Sequence, residues 1–468
     1  MTLLTLCELF HKTTALNHPR LPPPRALLAD LYSAATAAVA PGPALAQRLD
    51  LLEIEPNRRI WLLALGKAAL PMAASAAQAL RRQGHQPAGG IVVGPAPGRS
   101  PDPALVYIQG DHPEPGPGSV AAAEALTETA ARVTAEDEVW VLLSGGTTSL
   151  IGAPEPELTP AELRAIYALL LGSGLDIAAM NRIRKRFSRW GGGKLARALA
   201  PARVRVYLIS DVIGDDLASI GSGPCVPDPT TADEVRALLE SAGLWHRIPE
   251  SARKLVVSIG SGERPETAKP GDQAFVRVTL ELIASNRLAL EAAAKRATEL
   301  GLTPRVIETP IAGEASAAGA SIAAGLLNNC AQLLISQPER RTELPCLIWG
   351  GETTVSLGEN PAGLGGRCQE LALAAAQKLA RAALGVTLLA AGTDGRDGPT
   401  DAAGAIVDGE TWTAITRAGR DPARDLAGHD AYYALDAAGA LLRPGLTGTN
   451  VMDIVIGLCP APRVEPDR

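Results

Sequence analysis

The chain has 468 residues, more than one ordinary core accommodates, so two domains are expected. With 46% hydrophobic and 20% charged residues it has the composition of a globular protein rather than a disordered one. Lys and Arg number 44 against 50 Asp and Glu, giving −6 overall with only 3% aromatic residues. That leaves neither the cationic surface nor the stacking rings a nucleic-acid partner requires.

Met1 to Leu16 has Glu8 ahead of any basic residue and no small-residue cleavage site, so no export signal is read there. No uncharged apolar run approaches the ~20 residues a membrane helix needs, which predicts a soluble, cytoplasmic protein without a membrane partner. The six cysteines (Cys7, Cys225, Cys330, Cys346, Cys368 and Cys459) are far apart and form no CxxC pair. They are expected to be reduced and mostly packing residues.

Helical spacing from Leu27 to Leu51, entered through Pro22, Pro23 and Pro24, predicts a leading pair of helices. A repeated grammar of apolar burst, glycine turn and Ala-rich helix follows, at Ile60–Leu65 with Gly66 and at Val139–Leu143 with Ser144. Further bursts lie at residues 91–93, 204–209, 347–349, 386–391 and 451–458. The expected fold class is α/β: an N-terminal doubly wound, Rossmann-like, mainly parallel sheet over residues 1–250 and a C-terminal α/β domain with a mixed sheet over 251–468. The Gly-, Pro- and charge-rich stretch Ser261 to Asp272 reads as a loop or boundary.

Lys67 follows the first strand at the sheet edge where doubly wound folds bind ligands. Ser144, Gly145, Gly146, Thr147, Thr148 and Ser149 stand at a strand-to-helix turn, and their exposed amides and hydroxyls suit phosphate; a ligand-free tight turn is the alternative. A GGETT string at Gly350 to Thr354 echoes the GGTT of Gly145 to Thr148, either a reused phosphate loop or a chance likeness. The basic run Asn181 to Arg186, with Lys185, is followed by Gly191, Gly192, Gly193 and Lys194, and is either an anion clamp or a solvated helix face. Asp211, Asp215 and Asp216 follow the burst at 204–209, where hard oxygens suit Mg²⁺ or a base, and helix capping accounts for some of them. In the second half Glu352 sits beside a glycine turn, Arg367 is suited to grip a carboxylate or γ-phosphate, and Asp394, Asp397 and Asp401 share a glycine-rich loop.

Taken together, SGGTTSL, NRIRKRFSRWGGGKLA, SDVIGDDLASIGSGPCVPDPTT, GGETTVSLGENPAGLGGRCQELAL, GTDGRDGPTDAAGAIVD and TGTNVMDI resemble the MOFRL-type glycerate kinases over about residues 25–458. The resemblance implies an N-terminal glycerate-kinase domain, MOFRL motifs over about 345–458, and ATP- and Mg²⁺-dependent phosphorylation of D-glycerate at its 2-hydroxyl. It places catalytic positions on Lys67, Arg367 and Asp211. Nucleotide contacts are then expected from Ser144 to Ser149, Lys185, Lys194, Glu352 and Asp394, and metal contacts from Asp211 and Asp215. The chain departs from the pattern at Gly191, where a lysine is expected, and at Cys368, where an asparagine is. Two other readings remain: a hydroxypyruvate or tartronate-semialdehyde reductase, for which no G-x-G-x-x-G is found, and a small-anion binding protein. Quaternary structure is left open, a homodimer included.

Overall fold

The computed structural model describes residues 22–336, 344–358, 363–382 and 384–459. They divide into two compact units, one formed by Pro41–Ser285 and the other by the chain up to Ala40 together with that from Asn286 onward.

The first unit is built on six strands: β1 (Ile60–Leu65), β2 (Pro87–Gly94), β3 (Leu105–Gln109), β4 (Glu138–Leu143), β5 (Arg203–Ile209) and β6 (Val278–Ala284). They lie in the order β3-β2-β1-β4-β5-β6. Every pairing is parallel. β1 and β4 are buried along their whole length. IWLLAL and, after Glu138, VWVLL are continuous apolar runs, as strands covered on both faces must be. The strand order reverses between β1 and β4, and ligands of open α/β sheets bind at the carboxyl ends of the strands at such a point. Beside the sheet, helices Pro160–Leu171, Ile177–Phe187, Ala232–Ser241 and Glu250–Gly260 enclose a core of their own, including Leu163, Ile166, Phe187, Val235 and Ile259. Two of these helices start with reciprocal capping boxes, Thr159 with Glu162 and Thr231 with Glu234.

The second unit has β7 (Thr303–Val306), β8 (Pro345–Gly351), β9 (Thr387–Gly392), β10 (Gly404–Asp408), β11 (Leu441–Leu442) and β12 (Asp453–Leu458). Their order is β11-β10-β9-β12-β8-β7. β7 and β8 are parallel and the other pairings antiparallel, so this sheet is mixed, as expected. Asp453 opens β12 level with Gly351, the last residue of β8, and with Gly392, the last of β9.

The division near residue 250 is corrected. β6 pairs with β5, which carries the first sheet to residue 284. The stretch 261–272 is a loop pinned inside that unit by Thr267 Oγ1 donating to Asp228 at 2.9 Å and Ala268 N–H donating to Gly192 O at 3.2 Å. The two leading helices form, at Pro24–Ala38 and Pro41–Leu49, but belong to different units. The first is tied to the late part of the chain: Tyr32 Oη donates to Gly392 O at 2.7 Å, Thr449 Oγ1 to Val39 O at 2.8 Å, and Arg296 pairs with Asp30 at 2.8 Å.

The expectation of reduced thiols is also corrected. Cys330, in helix Ala315–Ser336, forms a disulfide with Cys459 just after β12, across 129 residues of sequence. Cys225, Cys346 and Cys368 are free and buried, and Cys7 lies outside the described residues. No helix among the described residues is long and apolar enough to cross a membrane. Removing a cross-link over a loop of this length should lower stability by about 2–4 kcal/mol. Cys459→Ser and added reductant should therefore each shift the urea midpoint of the wild-type protein downward by similar amounts.

Candidate active site

At the reversal point, the loops after β1 and β4 interlock. Lys67 N–H donates to Gly145 O at 2.9 Å and Ser144 N–H to Leu65 O at 3.0 Å. Ser144 Oγ accepts from Ala68 N–H at 3.0 Å. Thr147 Oγ1 lies 2.9 Å from Leu65 O and 2.8 Å from Ser144 O, so Ser144 and Thr147 are structural hydroxyls that shape the turn. Gly66 has φ +123°, and a Cβ there would fall 2.5 Å from Ser144 O. A Cβ on Gly145 would overlap the Asp211 carboxylate, which arrives from the loop after β5. The glycines are thus required for three loop ends to meet.

The charges at this point face one another. Lys67 is exposed, Asp211 is half-buried, and burial raises the Asp211 carboxyl above its usual range while the Lys67 charge opposes that rise. A Cβ on Gly146, a residue at φ +83°, would stand 3.1 Å from His112 Cδ2 and 3.3 Å from Lys67 Cγ. His112 is therefore a member of the cluster that sequence reasoning missed. Desolvation and then the Lys67 charge hold its imidazole below the ordinary histidine range. Thr148 and Ser149 are half-buried, with Thr148 Oγ1 2.9 Å from Ser222 Oγ and Ser149 Oγ donating to Gly146 O at 3.4 Å.

Other expected residues are placed elsewhere. Lys194 is committed inside the first unit: its ammonium pairs with Glu155 and donates to the carbonyls of Ser188 at 2.6 Å and Lys185 at 3.1 Å. Those bonds use the donors of Lys194 on oxygens of the protein itself. Lys185 is buried with Asp228 3.8 Å away, and burial lowers its pKa. Asp215 has φ +54° and one buried carboxylate oxygen without a hydrogen-bond partner.

Arg367, Glu352 and Asp394 all lie in the second unit. The grip foreseen for Arg367 on a ligand is taken by protein carboxylates: Nε and Nη2 donate to Asp453 at 2.7 and 3.0 Å, and Nη1 meets Glu352 at 2.6 Å. The Asp394 carboxylate accepts from Arg396 N–H at 3.0 Å. Asp397 accepts from the Cys368 and Gln369 amides at 3.2 and 2.8 Å, a carboxylate at the start of helix Arg367–Leu379 admitted by the bare Cα of Gly366. The echo between GGTT and GGETT does not extend to structure. Thr147–Leu150 is a helical turn, whereas Gly351 and Thr354 stay extended and bridge to Ile311 and Glu314.

The residues match two family models, "Domain of unknown function (DUF4147)" over 27–257 and "MOFRL family" over 345–453. The glycerate 2-kinase of Pyrococcus horikoshii is 37% identical over 88% of this chain and 90% of its own. A protein of Agrobacterium vitis, provisionally called a hydroxypyruvate reductase, is 36% identical over 92% of this chain and 93% of its own. The crystal structure of the Thermotoga maritima glycerate kinase superposes with a TM-score of 0.82 at 35% identity, covering 93% of this chain and 99% of that one. Two α/β units, one with the reversed parallel sheet and one carrying the MOFRL motifs, define the class. The chain belongs to the glycerate kinase family.

Burial pushes the Asp397 carboxyl up to about 7, against the two amide bonds that pull it down. Between the ordinary carboxylate range and about 7 the folded chain keeps a proton that the unfolded chain releases. This group therefore lowers stability as pH rises through that window, by at most about 1.4 kcal/mol per pH unit. Asp397→Asn should flatten that slope in urea-denaturation midpoints taken from about pH 4 to about pH 8.

Proposed function

We propose that the protein transfers the γ-phosphoryl group of ATP to the 2-hydroxyl of D-glycerate, with Mg²⁺. The observation that carries this is the meeting of Lys67, the Ser144–Ser149 turn and Asp211 at the reversal point of the parallel sheet. Phosphoryl transfer demands alignment and charge compensation more than covalent catalysis, and this cluster offers both. The names of the Pyrococcus and Thermotoga relatives support the same chemistry.

In this reading the Lys67 ammonium lies against the transferring phosphate and offsets its charge, and the Ser144–Ser149 turn holds the phosphate chain. Asp211 assists either Mg²⁺ or the proton of the substrate hydroxyl; in the second role, burial that raises its pKa favours taking up that proton. Asp211, in its other role, and Asp215, one of whose buried carboxylate oxygens has no hydrogen-bond partner, are the hard oxygen donors that would hold Mg²⁺. The described residues contain no cluster of three or more metal-ligating side chains. When bound, Mg²⁺ would neutralise charge on the phosphate oxygens. Arg367 acts through its own unit, holding Asp453 and Glu352 in place.

The reductase reading has the name of the Agrobacterium relative in its favour. The loop after β1, Gly66-Lys67-Ala68-Ala69, lacks the glycine pattern that a dinucleotide pyrophosphate needs.

Purified protein given MgATP and D-glycerate should generate a product that enolase consumes directly, which 2-phosphoglycerate supports and 3-phosphoglycerate does not. Lys67→Ala should reduce turnover about 10²–10³-fold, the cost of removing one preorganised charge-stabilising group. ADP release without an enolase signal would place the phosphate on another oxygen. Oxidation of NADH by hydroxypyruvate without ATP would replace the proposal with the reductase reading.

A further inference from the structure

Beside the Ser144–Ser149 turn, the first unit contains a recess of about 100 Å³ with Thr148, Ser149, Arg164, Tyr167, Arg184 and Glu114 in its lining. One water occupies about 10–15 Å³ on this measure, so the recess holds a molecule the size of several waters. Sites for drug-sized ligands run to about 300–1,000 Å³, which excludes an adenosine and leaves a small acid.

Its walls differ in chemistry. Arg164 and Tyr167 stand three residues apart on one face of helix Pro160–Leu171. Arg184, from helix Ile177–Phe187, lies with its guanidinium 5.2 Å from the centre of the Tyr167 ring. The Nε of Arg184 is buried and has no hydrogen-bond partner. The side chain stays charged despite the burial that lowers its pKa, since an arginine does not deprotonate in proteins. Two arginines, one exposed and one partly buried, line the recess, and their planar donors match a carboxylate. On the turn side stand Thr148 and Ser149, whose hydroxyl oxygens accept hydrogen bonds. Donors for an anion at one wall and acceptors for a hydroxyl at the other describe a hydroxy acid. Glu114 is the one acidic residue of the lining and opposes an anion.

We propose that Arg164 and Arg184 bind the carboxylate of the hydroxy-acid substrate, with its hydroxyl turned toward Thr148 and Ser149. The proposal rests on the kinase reading and fills a place in it, because the Arg367 guanidinium is already occupied by Asp453 and Glu352. It makes the two arginines specificity residues: an acid is accepted and the corresponding neutral alcohol rejected.

The test is the steady-state KM for D-glycerate and, separately, for ATP, in Arg164→Gln, Arg184→Gln and Glu114→Gln, with melting curves alongside. Losing a charged hydrogen-bond donor should raise the glycerate KM about 10- to 100-fold in each arginine variant, leaving the ATP KM unchanged. Glu114→Gln should lower the glycerate KM, an effect of opposite sign that a merely structural role would not produce. Arg164 is exposed, so its variant reports even if Arg184→Gln fails to fold. A folded Arg164→Gln with wild-type glycerate KM overturns the proposal while leaving the kinase reading intact. A rise confined to the ATP KM overturns it in favour of a phosphate site. Should the wild-type protein turn over no glycerate, calorimetric titration with D-glycerate alone decides. Binding that Arg164→Gln abolishes supports the recess, and binding that is absent or unaffected overturns it.

Discussion

The loops after β1, β4 and β5 can close on one another only where a side chain is missing. A methyl group on Gly66 would strike the Ser144 carbonyl, and one on Gly145 would strike the Asp211 carboxylate. Everything proposed for the first unit follows from that closure. It sets an exposed ammonium, a half-buried carboxylate and a hydroxyl-bearing turn at the one point of the sheet where the strand order reverses. The backbone bonds from Lys67 to Gly145 and from Ser144 to Leu65 hold the loops in register without using the polar side chains of Lys67 or Asp211.

The second unit solves a different problem. Its mixed sheet brings the ends of β8 and β9 level with the start of β12, where Asp453 is buried. A buried carboxylate without a partner is costly, and the two-point bond from Arg367 offsets that cost. The same side chain reaches Glu352, so the arginine organises two carboxylates. Its place at the start of a helix already capped by Asp397 gives this edge of the sheet a dense set of alternating charges.

Much of this was legible in the sequence. Continuous apolar runs bounded by glycine turns announced the buried strands, and placing Lys67 and Ser144 to Ser149 after two of them put both at the carboxyl edge of the first sheet; the strand order that makes this the reversal point was not legible. Pairings across long sequence distances were not legible. The Cys330–Cys459 bond spans 129 residues, and β6 lies beyond a loop that reads as a boundary. Composition likewise treats basic residues alike. Lys194 spends its charge on internal oxygens, Lys185 faces Asp228, and Arg184 lines a recess, yet all three belong to one basic stretch. Arg164 and His112 sit in no recognisable motif, and only the packing of the helix Pro160–Leu171 and the bare Cα of Gly146 bring them to the turn.

The most direct measurement is a crystal structure of the protein with Mg²⁺, D-glycerate and a non-hydrolysable ATP analogue. The account requires the terminal phosphate of the analogue to lie against Lys67 and the Ser144–Ser149 turn. A terminal phosphate bound away from that turn, with Lys67 and Asp211 both in solvent, would contradict it.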